Sequence, residues 1–290
     1  MSPSGGDRTT YVITGGSDGI GLECASRLAR DEPDCRIVIV GRDPRRTAAA
    51  VGRLRAESPQ CASDSLLCDF ADLGAVRRLA EDLLRTCPRI DVLVNNAGTV
   101  FARRTLTADG VEATFAVNHL AGFLLTELLL DRIRESAPAR IVFTSSAAHY
   151  SATLDLDDVG FEHGYSIMRA YGRSKLANVL TARHLARRLD GSDVTVNAVH
   201  PGAISTNIWS GAPWFARPVL ALAKRRMERP EVGGARLAYL AASPEVEGAT
   251  GGYYDRNRPR DPSPTARDDA LGDRLYELST DLVGLAGTTA

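Results

Sequence analysis

The sequence predicts an α/β fold: a doubly wound parallel sheet of about seven strands with helices on both faces. Short β-branched runs alternate with longer stretches of helical spacing nearly from end to end, which is the element order of a parallel sheet. Most runs are continuously apolar, as expected for strands that are covered on both faces. The predicted strands are Thr10–Thr14, Arg36–Val40, Ser65–Cys68, Asp91–Val94, Arg140–Thr144, Val194–Val199 and a shorter run at Gly252–Tyr254.

The segments between the strands predict helices, and no linker rich in Gly, Ser or Pro divides the chain. We therefore interpret residues 1–290 as one catalytic domain, with residues 1–8 flexible. Two segments break the alternation, and we interpret 203–230, rich in Trp, Pro and Leu, as a substrate lid. The other, 256–285, is a proline-punctuated C-terminal extension that ends in a helix. The predicted helices include Leu22–Arg30, His119–Ser136, Lys175–Leu189 and Asp268–Val283.

The bulk composition indicates a soluble, cytoplasmic protein whose partner is a small molecule. The formal net charge is −1 and both signs are spread along the chain, which disfavours nucleic acid and anionic lipid as partners. Five cysteines without a CxxC pair fit a reduced compartment, and the polar N-terminus lacks the apolar run of a signal peptide. The most apolar stretch, Leu120 to Ile133, is short and interrupted by charges, so it predicts a buried helix rather than a membrane span.

A glycine-rich turn, T-G-G-S-D-G-I-G, follows the first predicted strand, and a helical pattern follows the turn. Gly15, Gly19 and Gly21 stand where the chain must turn sharply and bring backbone N–H groups against a pyrophosphate. An ordinary strand–helix turn is the alternative, but the strand before it and the helix after it favour dinucleotide binding. The fold is then of the Rossmann type.

The end of the second strand decides between the two nicotinamide dinucleotides. An acidic residue there would hold the ribose 2′-hydroxyl of NAD, whereas arginine accommodates a 2′-phosphate. The sequence has Arg42 at this point, and a guanidinium is always charged and suited to bidentate phosphate contact. Arg45 and Arg46 could assist or could be solvated surface charges, while Asp18 and Asp43 would oppose a phosphate. The sequence therefore predicts NADP(H).

Tyr171 and Lys175 have the i, i+4 spacing that places two side chains on one helix face. The pKa of a free tyrosine is near 10, and a nearby cation lowers it, which suits proton transfer at neutral pH. The chain contains only two lysines among 35 basic residues, so a lysine kept here is informative. An isolated Tyr/Lys pair with this spacing is often a surface pair. In a chain that also contains this glycine turn, the pair indicates a catalytic site.

Together these motifs resemble the short-chain dehydrogenase/reductase family over essentially the whole chain. They are TGGSDGIG, NNAG at Asn95–Gly98, Asn118, Ser146, Tyr171 with Lys175, and His200–Gly202. Five further stretches of sequence resemble the retinol dehydrogenase-like branch of this family. They are VGRD at Val40–Asp43, VNHLAGFLLT from Val117, AYGRSKLANVL from Ala170, VHPG from Val199 and the tail from Gly252 to Leu285.

The resemblance implies a catalytic set of Asn118, Ser146, Tyr171 and Lys175. Ser146 would hydrogen-bond the substrate oxygen, with Ser145 as the alternative. Tyr171 would be the general acid or base, and Lys175 would lower the pKa of Tyr171 and bind the nicotinamide ribose. Asn118 would hold a water that links Lys175 to a proton relay. The resemblance also implies transfer of the pro-S hydride.

The resemblance also implies the cofactor contacts. Asp69 would contact the adenine, Pro201 and Gly202 would lie beside the nicotinamide, and Asn95, Ala97 and Gly98 would line the adenine-ribose side. A homodimer through the helices that begin near His119 and Tyr171 is a further expectation. The full predicted set is Gly15, Ser17, Asp18, Gly19, Ile20, Gly21, Arg42, Asp69, Phe70, Asn95, Ala97, Gly98, Tyr171, Lys175, Pro201, Gly202, Ile204 and Thr206.

The substrate is expected to be an apolar carbonyl or alcohol. Many members of the retinol dehydrogenase-like branch carry an N-terminal membrane anchor, absent here, and segment 203–230 is dissimilar, so retinol itself is not predicted. Reduction of C=C or C=N, or NADP(H) sensing without turnover, remain alternatives, although the intact catalytic set argues against sensing. The histidines lack metal spacing, so no metal is expected. The predicted substrate pocket comprises Ser146, His149, Tyr150, Trp209, Trp214 and Phe215.

Overall fold

The computed structural model describes residues 8–205 and 227–285, and an eight-stranded sheet forms their centre. The strands lie in the order β3-β2-β1-β4-β5-β6-β7-β8, and every pair is parallel except β7 with β8. The predicted doubly wound α/β sheet is confirmed, and the eighth strand is a two-residue antiparallel addition. The strands are β1 (Thr10–Thr14), β2 (Arg36–Gly41), β3 (Ala62–Leu67), β4 (Val92–Asn95), β5 (Ala139–Thr144), β6 (Val194–His200), β7 (Tyr253–Asp255) and β8 (Arg258–Pro259).

Helices cover both faces of the sheet. They are α1 (Gly19–Asp31), α2 (Pro44–Glu57), α3 (Leu73–Thr86), α4 (Ala113–Phe115), α5 (Ala121–Glu135), α6 (Ile167–Arg188), α7 (Pro230–Ala242) and α8 (Asp269–Leu282). A π-helical turn, Ala116–Leu120, joins α4 to α5, and 3₁₀ turns lie at Ala147–Ser151, Pro244–Val246 and Thr265–Arg267. Helices α1, α2 and α7 pack on one face, and α3, α5 and α6 pack on the other.

Successive side chains of each central strand enter two separate apolar clusters, one on each face of the sheet. Val12 and Val38 pack with α3 and α5, whereas Ile13 and Ile37 pack with α1 and α2. This two-sided burial explains the continuously apolar strand sequences. The strand order reverses between β1 and β4, and ligands bind in the crevice that such a reversal opens at the carboxyl ends of the strands.

Two element boundaries differ from the sequence expectation. Strand β3 begins at Ala62, three residues before the predicted start, because it lies near the edge of the sheet and its first half contains the polar run Ser63–Ser65, which gives no apolar strand signal. Helix α6 begins at Ile167 rather than near Tyr171, because its first turns are less apolar than the run that follows Lys175. Tyr171 consequently lies in the second turn of the helix.

Helix α8 packs mainly on the outer side of α6. Its residues Leu275 and Ser279 are completely buried, and its Tyr276 ring makes an edge contact with the Phe123 ring of α5, with centroids 5.1 Å apart. Asp269 accepts hydrogen bonds from Arg183 and Arg187 of α6. Helix α8 therefore occupies part of the surface on which a homodimer is expected.

One helical stretch of the described residues, Ala113–Glu135, is long and apolar enough to cross a membrane by length and composition. It contains the Leu120–Ile133 run predicted as a buried helix, and 78% of its most apolar window is buried inside the protein. It packs beneath the sheet, with Leu124 and Leu129 completely buried in the core. The burial agrees with a core helix.

Candidate active site

The glycine turn after β1 brings the start of α1 close to the end of the strand. Gly15 and Gly19 have φ of 65° and 55°, the left-handed region that favours glycine. A Cβ on Gly21 would overlap the carbonyl oxygen of Gly15, so only glycine lets α1 begin this close to the turn. Ile20 of α1 and Ile204 both lie against Gly233 of α7, which fixes the helix from its other side.

The N-terminus of α1 differs from those of the next two helices. Asp43 and Asp72 cap α2 and α3 with side-chain hydrogen bonds to backbone N–H groups, whereas Asp18 makes no such bond at α1. The first-turn N–H groups of α1 are therefore not capped by the Asp18 side chain. A helix N-terminus of this kind attracts an anion, so the turn fits the pyrophosphate of a dinucleotide.

The carboxyl end of β2 meets the glycine turn at Gly41. A Cβ on Gly41 would lie 2.8 Å from the hydroxyl oxygen of Ser17, so the turn and the strand end are in contact. Arg42 follows as an exposed residue. The two acidic residues nearby are both engaged: Asp43 accepts the N–H groups of Arg45 and Arg46, and Asp18 pairs with the Arg46 guanidinium. These contacts reduce the electrostatic repulsion between the two carboxylates and a phosphate bound at Arg42.

Asp69 and Phe70 follow β3 at the same edge of the sheet. Asp69 is exposed and its carboxylate accepts the N–H group of Ala71 at 3.1 Å, which fixes the turn after the strand. Phe70 is buried in the core cluster, so its backbone rather than its ring is available at this edge. Both positions lie where the carboxyl ends of β2 and β3 meet.

Asn96, rather than Asn95, faces the glycine turn. The Asn96 amide donates to the carbonyl oxygen of Thr14 at 3.0 Å, and its backbone N–H group donates to the Thr14 hydroxyl. The Asn95 side chain instead points into the core and donates to Thr126 of α5 at 2.9 Å. Of the two asparagines, the side chain of Asn96 therefore faces the glycine turn, and that of Asn95 does not. Neighbouring strand residues point to opposite faces, and NNAG alone does not show which asparagine faces out.

Asn118 lies in the π-helical turn between α4 and α5, a distortion often found at functional sites. Its side-chain oxygen accepts the N–H group of Thr99 at 2.7 Å, and its amide donates to the Thr99 carbonyl at 3.0 Å and to Ser174 at 3.1 Å. Asn118 thus ties the loop after β4 to α6. A Cβ on Gly98 would lie 3.3 Å from Asn118 Oδ1 and 3.5 Å from Lys175 Nζ, so glycine keeps the approach to both open.

The two serines after β5 have different partners. Ser145 is buried, and its hydroxyl donates to the backbone carbonyl of Lys175 at 2.8 Å, which anchors α6 to the sheet. Ser146 is half-buried, accepts the N–H group of Ala148 at 3.2 Å and is hydrogen-bonded to the Tyr171 hydroxyl. Ser146 is therefore the serine that meets Tyr171, and Ser145 has a supporting position.

Lys175 is buried, and its amine donates to the backbone carbonyl of Thr144 at 3.0 Å. Burial lowers the pKa of Lys175 to about 8. Burial raises the pKa of Tyr171 above its ordinary value, although the hydrogen bond from Ser146 acts in the opposite direction. The Lys175 amine lies 5.7 Å from the Tyr171 ring centroid and donates to Thr144, and the net direction of the change in the Tyr171 pKa is upward, opposite to the expected lowering.

His149 and Tyr150 differ from the predicted pocket. His149 is completely buried, with Nδ1 2.8 Å from the carbonyl oxygen of Ser146 and Nε2 accepting the N–H group of Ser263 at 3.1 Å. Both nitrogens are engaged, so the ring supports the Ser146 turn and does not line a pocket. Tyr150 is partly exposed, but its hydroxyl donates to the carbonyl of Asp261 in the C-terminal extension.

The loop after β6 is held where the predicted lid begins and ends. Ile204 and Glu228 form a parallel bridge, and Arg236 of α7 contacts both Glu228 carboxylate oxygens and donates to the Pro201 carbonyl at 2.7 Å. Gly202 has a φ of 104°, and a Cβ there would overlap Arg236. The remaining predicted residues, Thr206, Trp209, Trp214 and Phe215, lie outside the described residues.

The arrangement can bind a dinucleotide across the carboxyl ends of β1, β2 and β4 and transfer a proton beside it. The phenol, the hydroxyl and the amine of Tyr171, Ser146 and Lys175 converge at the end of β5. Within residues 8–205 and 227–285, no cluster of three or more His, Cys, Asp or Glu side chains could hold a metal.

Comparison with known proteins agrees with this geometry. A sequence model described as short chain dehydrogenase matches residues 9–213. A putative daunorubicin C-13 ketoreductase from Streptomyces sp. is 42% identical, over 98% of this chain and 96% of the relative. Retinol dehydrogenase 14 from Mus musculus is 39% identical, over 95% of this chain and 86% of the relative. The Pseudomonas aeruginosa RhlG/NADP active-site complex superposes with a TM-score of 0.69 at 29% identity, covering 88% of this chain and 97% of that one.

The family match covers well over half of the chain, and the relatives match almost its whole length. The chain therefore belongs to the short-chain dehydrogenase/reductase family. Its similarity to retinol dehydrogenases places it in the retinol dehydrogenase-like branch of that family, as an oxidoreductase that acts on alcohol or carbonyl groups.

Proposed function

We propose that the protein is an NADP(H)-dependent oxidoreductase that reduces a ketone or aldehyde, or oxidises a secondary alcohol, on an apolar and ring-bearing substrate. The observation that carries the proposal is the hydrogen bond between Ser146 and Tyr171, with the buried Lys175 amine one helical turn away. These are the groups that hold a carbonyl oxygen and move a proton to it.

The glycine turn and the N-terminus of α1 would hold the pyrophosphate of the cofactor, and Arg42 would hold its 2′-phosphate. When bound, the nicotinamide supplies or accepts the hydride. The Thr144 carbonyl is the hydrogen-bond acceptor of the Lys175 amine among the described residues, and an ammonium has three donors. The other N–H groups can therefore reach the ribose hydroxyls.

Tyr171 donates the proton to the carbonyl oxygen in reduction and removes it in oxidation. Its raised pKa keeps the phenol protonated at neutral pH, which is the state that reduction requires. Ser146 hydrogen-bonds the same oxygen and stabilises the charge that develops on it. Asn118, fixed by Thr99 and Ser174, holds the water that would resupply the proton through Lys175.

Support for NADP(H) over NAD(H) comes from the exposed Arg42 at the end of β2 and from the engagement of Asp43 and Asp18 with other groups. The similar RhlG structure is a complex with NADP. NAD binding would use a carboxylate at the end of β2 to hold the ribose 2′-hydroxyl. The positive charge of Arg42 at this position instead favours NADP(H).

The substrate class rests on the relatives and on the composition of the predicted lid. One relative is named a ketoreductase acting on daunorubicin and another a retinol dehydrogenase, both of which imply apolar, ring-bearing substrates. The lid segment contains both tryptophans of the chain, Trp209 and Trp214, which suit contact with an apolar, ring-bearing substrate.

We propose a cytoplasmic location for the enzyme.

The test is a screen of NADPH and NADH oxidation over polycyclic ketones, a polyene aldehyde, quinones, activated alkenes and short hydroxyketones. We expect NADPH-dependent reduction of a ring-bearing ketone or polyene aldehyde, abolished by Tyr171→Phe with NADPH binding retained. Turnover of alkenes alone would favour C=C reduction. NADPH binding without turnover of any compound would contradict the enzyme proposal.

A further inference from the structure

Behind the active site, the Asn178 amide joins two backbone carbonyls that belong to active-site elements. Its Nδ2 lies 3.0 Å from the carbonyl oxygen of Asn118 in the π-helical turn and 3.0 Å from the carbonyl oxygen of Thr144 at the end of β5. The Lys175 amine lies 3.0 Å from the same Thr144 oxygen. Asn178 and Lys175, neighbours on one face of α6, therefore share an acceptor.

The direction of every hydrogen bond around Asn178 follows from its partners. Carbonyl oxygens only accept, so Nδ2 must face them and Oδ1 must face His119 Nδ1, at 3.3 Å. Burial lowers the pKa of His119 to about 4, so the ring is neutral and its single proton is on Nδ1. His119 Nε2 then accepts from the Ser279 hydroxyl of α8 at 2.9 Å.

We propose that Asn178 is a positioning residue of the active site: it holds the Thr144 carbonyl on which the Lys175 amine rests, and His119 and Ser279 hold Asn178. The role of Lys175 rests on the proposed function, whereas the hydrogen-bonded chain does not. Helix α8 thereby contacts the active site through Ser279, His119 and Asn178, in addition to packing on α6. These three residues are at least 98% buried, so water does not replace the bonds.

The protonation of Lys175 distinguishes positioning from a purely structural role. The titratable groups that face the amine among the described residues are Tyr171 on its own helix and His119 from the π-helical turn. His119 is neutral above pH 5 and Tyr171 stays protonated below its raised pKa, so neither changes charge near pH 8. A change in the Lys175 titration in an Asn178 variant would therefore report the shared carbonyl.

The chain allows this titration to be observed directly, because Lys175 and Lys224 are its only lysines. We would label lysine side chains with ¹³C and ¹⁵N in the full chain and follow both signals by NMR against pH, with Lys175→Met for assignment. We expect the Lys175 midpoint near 8 in the wild type. Asn178→Ala removes the competing donor and leaves the Thr144 oxygen to the ammonium, which raises the midpoint by about 1.

The control is Thr181→Val, three residues further along α6. Thr181 is buried, and its hydroxyl has no hydrogen-bond partner in the described part of the chain, so the change removes a polar atom outside the network. We expect no movement of the Lys175 midpoint. Ser279→Ala should raise the Lys175 midpoint, but by less than Asn178→Ala does. Ser279→Thr keeps the hydroxyl and should leave the midpoint at its wild-type value.

The activity arm uses the best substrate from the screen. We expect Asn178→Ala to lower kcat at least about tenfold, because small displacements of catalytic groups are costly, and Thr181→Val to leave it unchanged. If the wild type has no turnover but the Lys175 midpoint moves, the proposed function fails and the positioning role stands. An unmoved midpoint in folded Asn178→Ala, with kcat within twofold, overturns the positioning role. If Asn178→Ala does not fold, the Ser279 variants provide the test. An equal Lys175 midpoint in Ser279→Ala and Ser279→Thr then overturns the positioning role.

Discussion

The amine of Lys175 is 3.0 Å from the backbone carbonyl oxygen of Thr144, at the point where β5 ends and the Ser146 turn begins. One hydrogen bond thus connects the helix that carries Tyr171 to the strand that delivers Ser146. Ser145 adds a second connection in the opposite direction, from its hydroxyl to the Lys175 carbonyl at 2.8 Å. These reciprocal bonds fix the distance between the proton donor and the serine that holds the substrate oxygen.

The burial of Lys175 predicts a dependence of stability on pH. Its pKa is lowered from 10.5 to about 8, so between these values the unfolded chain binds the proton and the folded chain does not. The Lys175 contribution to the free energy of unfolding therefore rises with pH across this window, by up to about 3 kcal/mol. Below pH 8 the lysine is charged in both the folded and the unfolded chain, so folding bears the full free-energy cost of burying the charged amine.

The measurement is chemical denaturation of the wild type and Lys175→Met at pH 7.5 and pH 10. Methionine has a similar length and no charge, so the variant should gain most over the wild type at pH 7.5 and lose that advantage at pH 10. A difference that stays constant with pH would show that the buried amine titrates normally.

The neighbouring serines predict separable effects. Ser146→Ala removes the hydrogen bond to the substrate oxygen and should lower kcat about 100-fold with the free energy of unfolding little changed. Ser145→Ala removes an internal bond to the Lys175 carbonyl and should cost about 1 kcal/mol of stability, with a smaller loss of kcat. Steady-state kinetics beside thermal unfolding checks the pair; the opposite assignment would make Ser145 the substrate contact.

The strand positions, the glycine turn and the Tyr171–Lys175 pair could be predicted from the sequence because each is encoded by neighbouring residues. The asparagine of the NNAG motif that faces the glycine turn could not, because successive side chains at the end of β4 point to opposite faces and the motif does not show which of Asn95 and Asn96 faces the turn. The partners of His149 and Asn178 could not either: Ser263 and Asn118 lie 114 and 60 residues away along the chain. The packing of α6 on the π-helical turn brings Asn178 to Asn118, and the C-terminal extension brings Ser263 to His149.

The position of α8 predicts a monomer. Because α8 packs on the outer side of α6 and its Tyr276 contacts α5, the purified chain should have a mass of about 31 kDa by light scattering at micromolar concentration. Leu275→Glu places a charge in the buried contact of α8 and should produce self-association together with reduced stability. Asp281→Asn, an exposed change on the same helix, is the control. A stable dimer of the wild type would show that another surface is used.

Arg42 predicts the cofactor preference. Arg42→Ala should weaken NADPH binding by about 1.5–3 kcal/mol, which is the range of a charged hydrogen bond and corresponds to roughly a 10- to 150-fold higher Kd, and should leave NADH binding unchanged. Arg45→Ala is the matched control, because Arg45 is also an exposed arginine and lies in the first turn of α2. Asp18→Asn should instead tighten NADPH binding, because it frees the Arg46 guanidinium from its ion pair. The Kd values follow from fluorescence titration of each variant with both cofactors. Equal losses for NADPH and NADH in Arg42→Ala would place the 2′-phosphate elsewhere on the sheet edge.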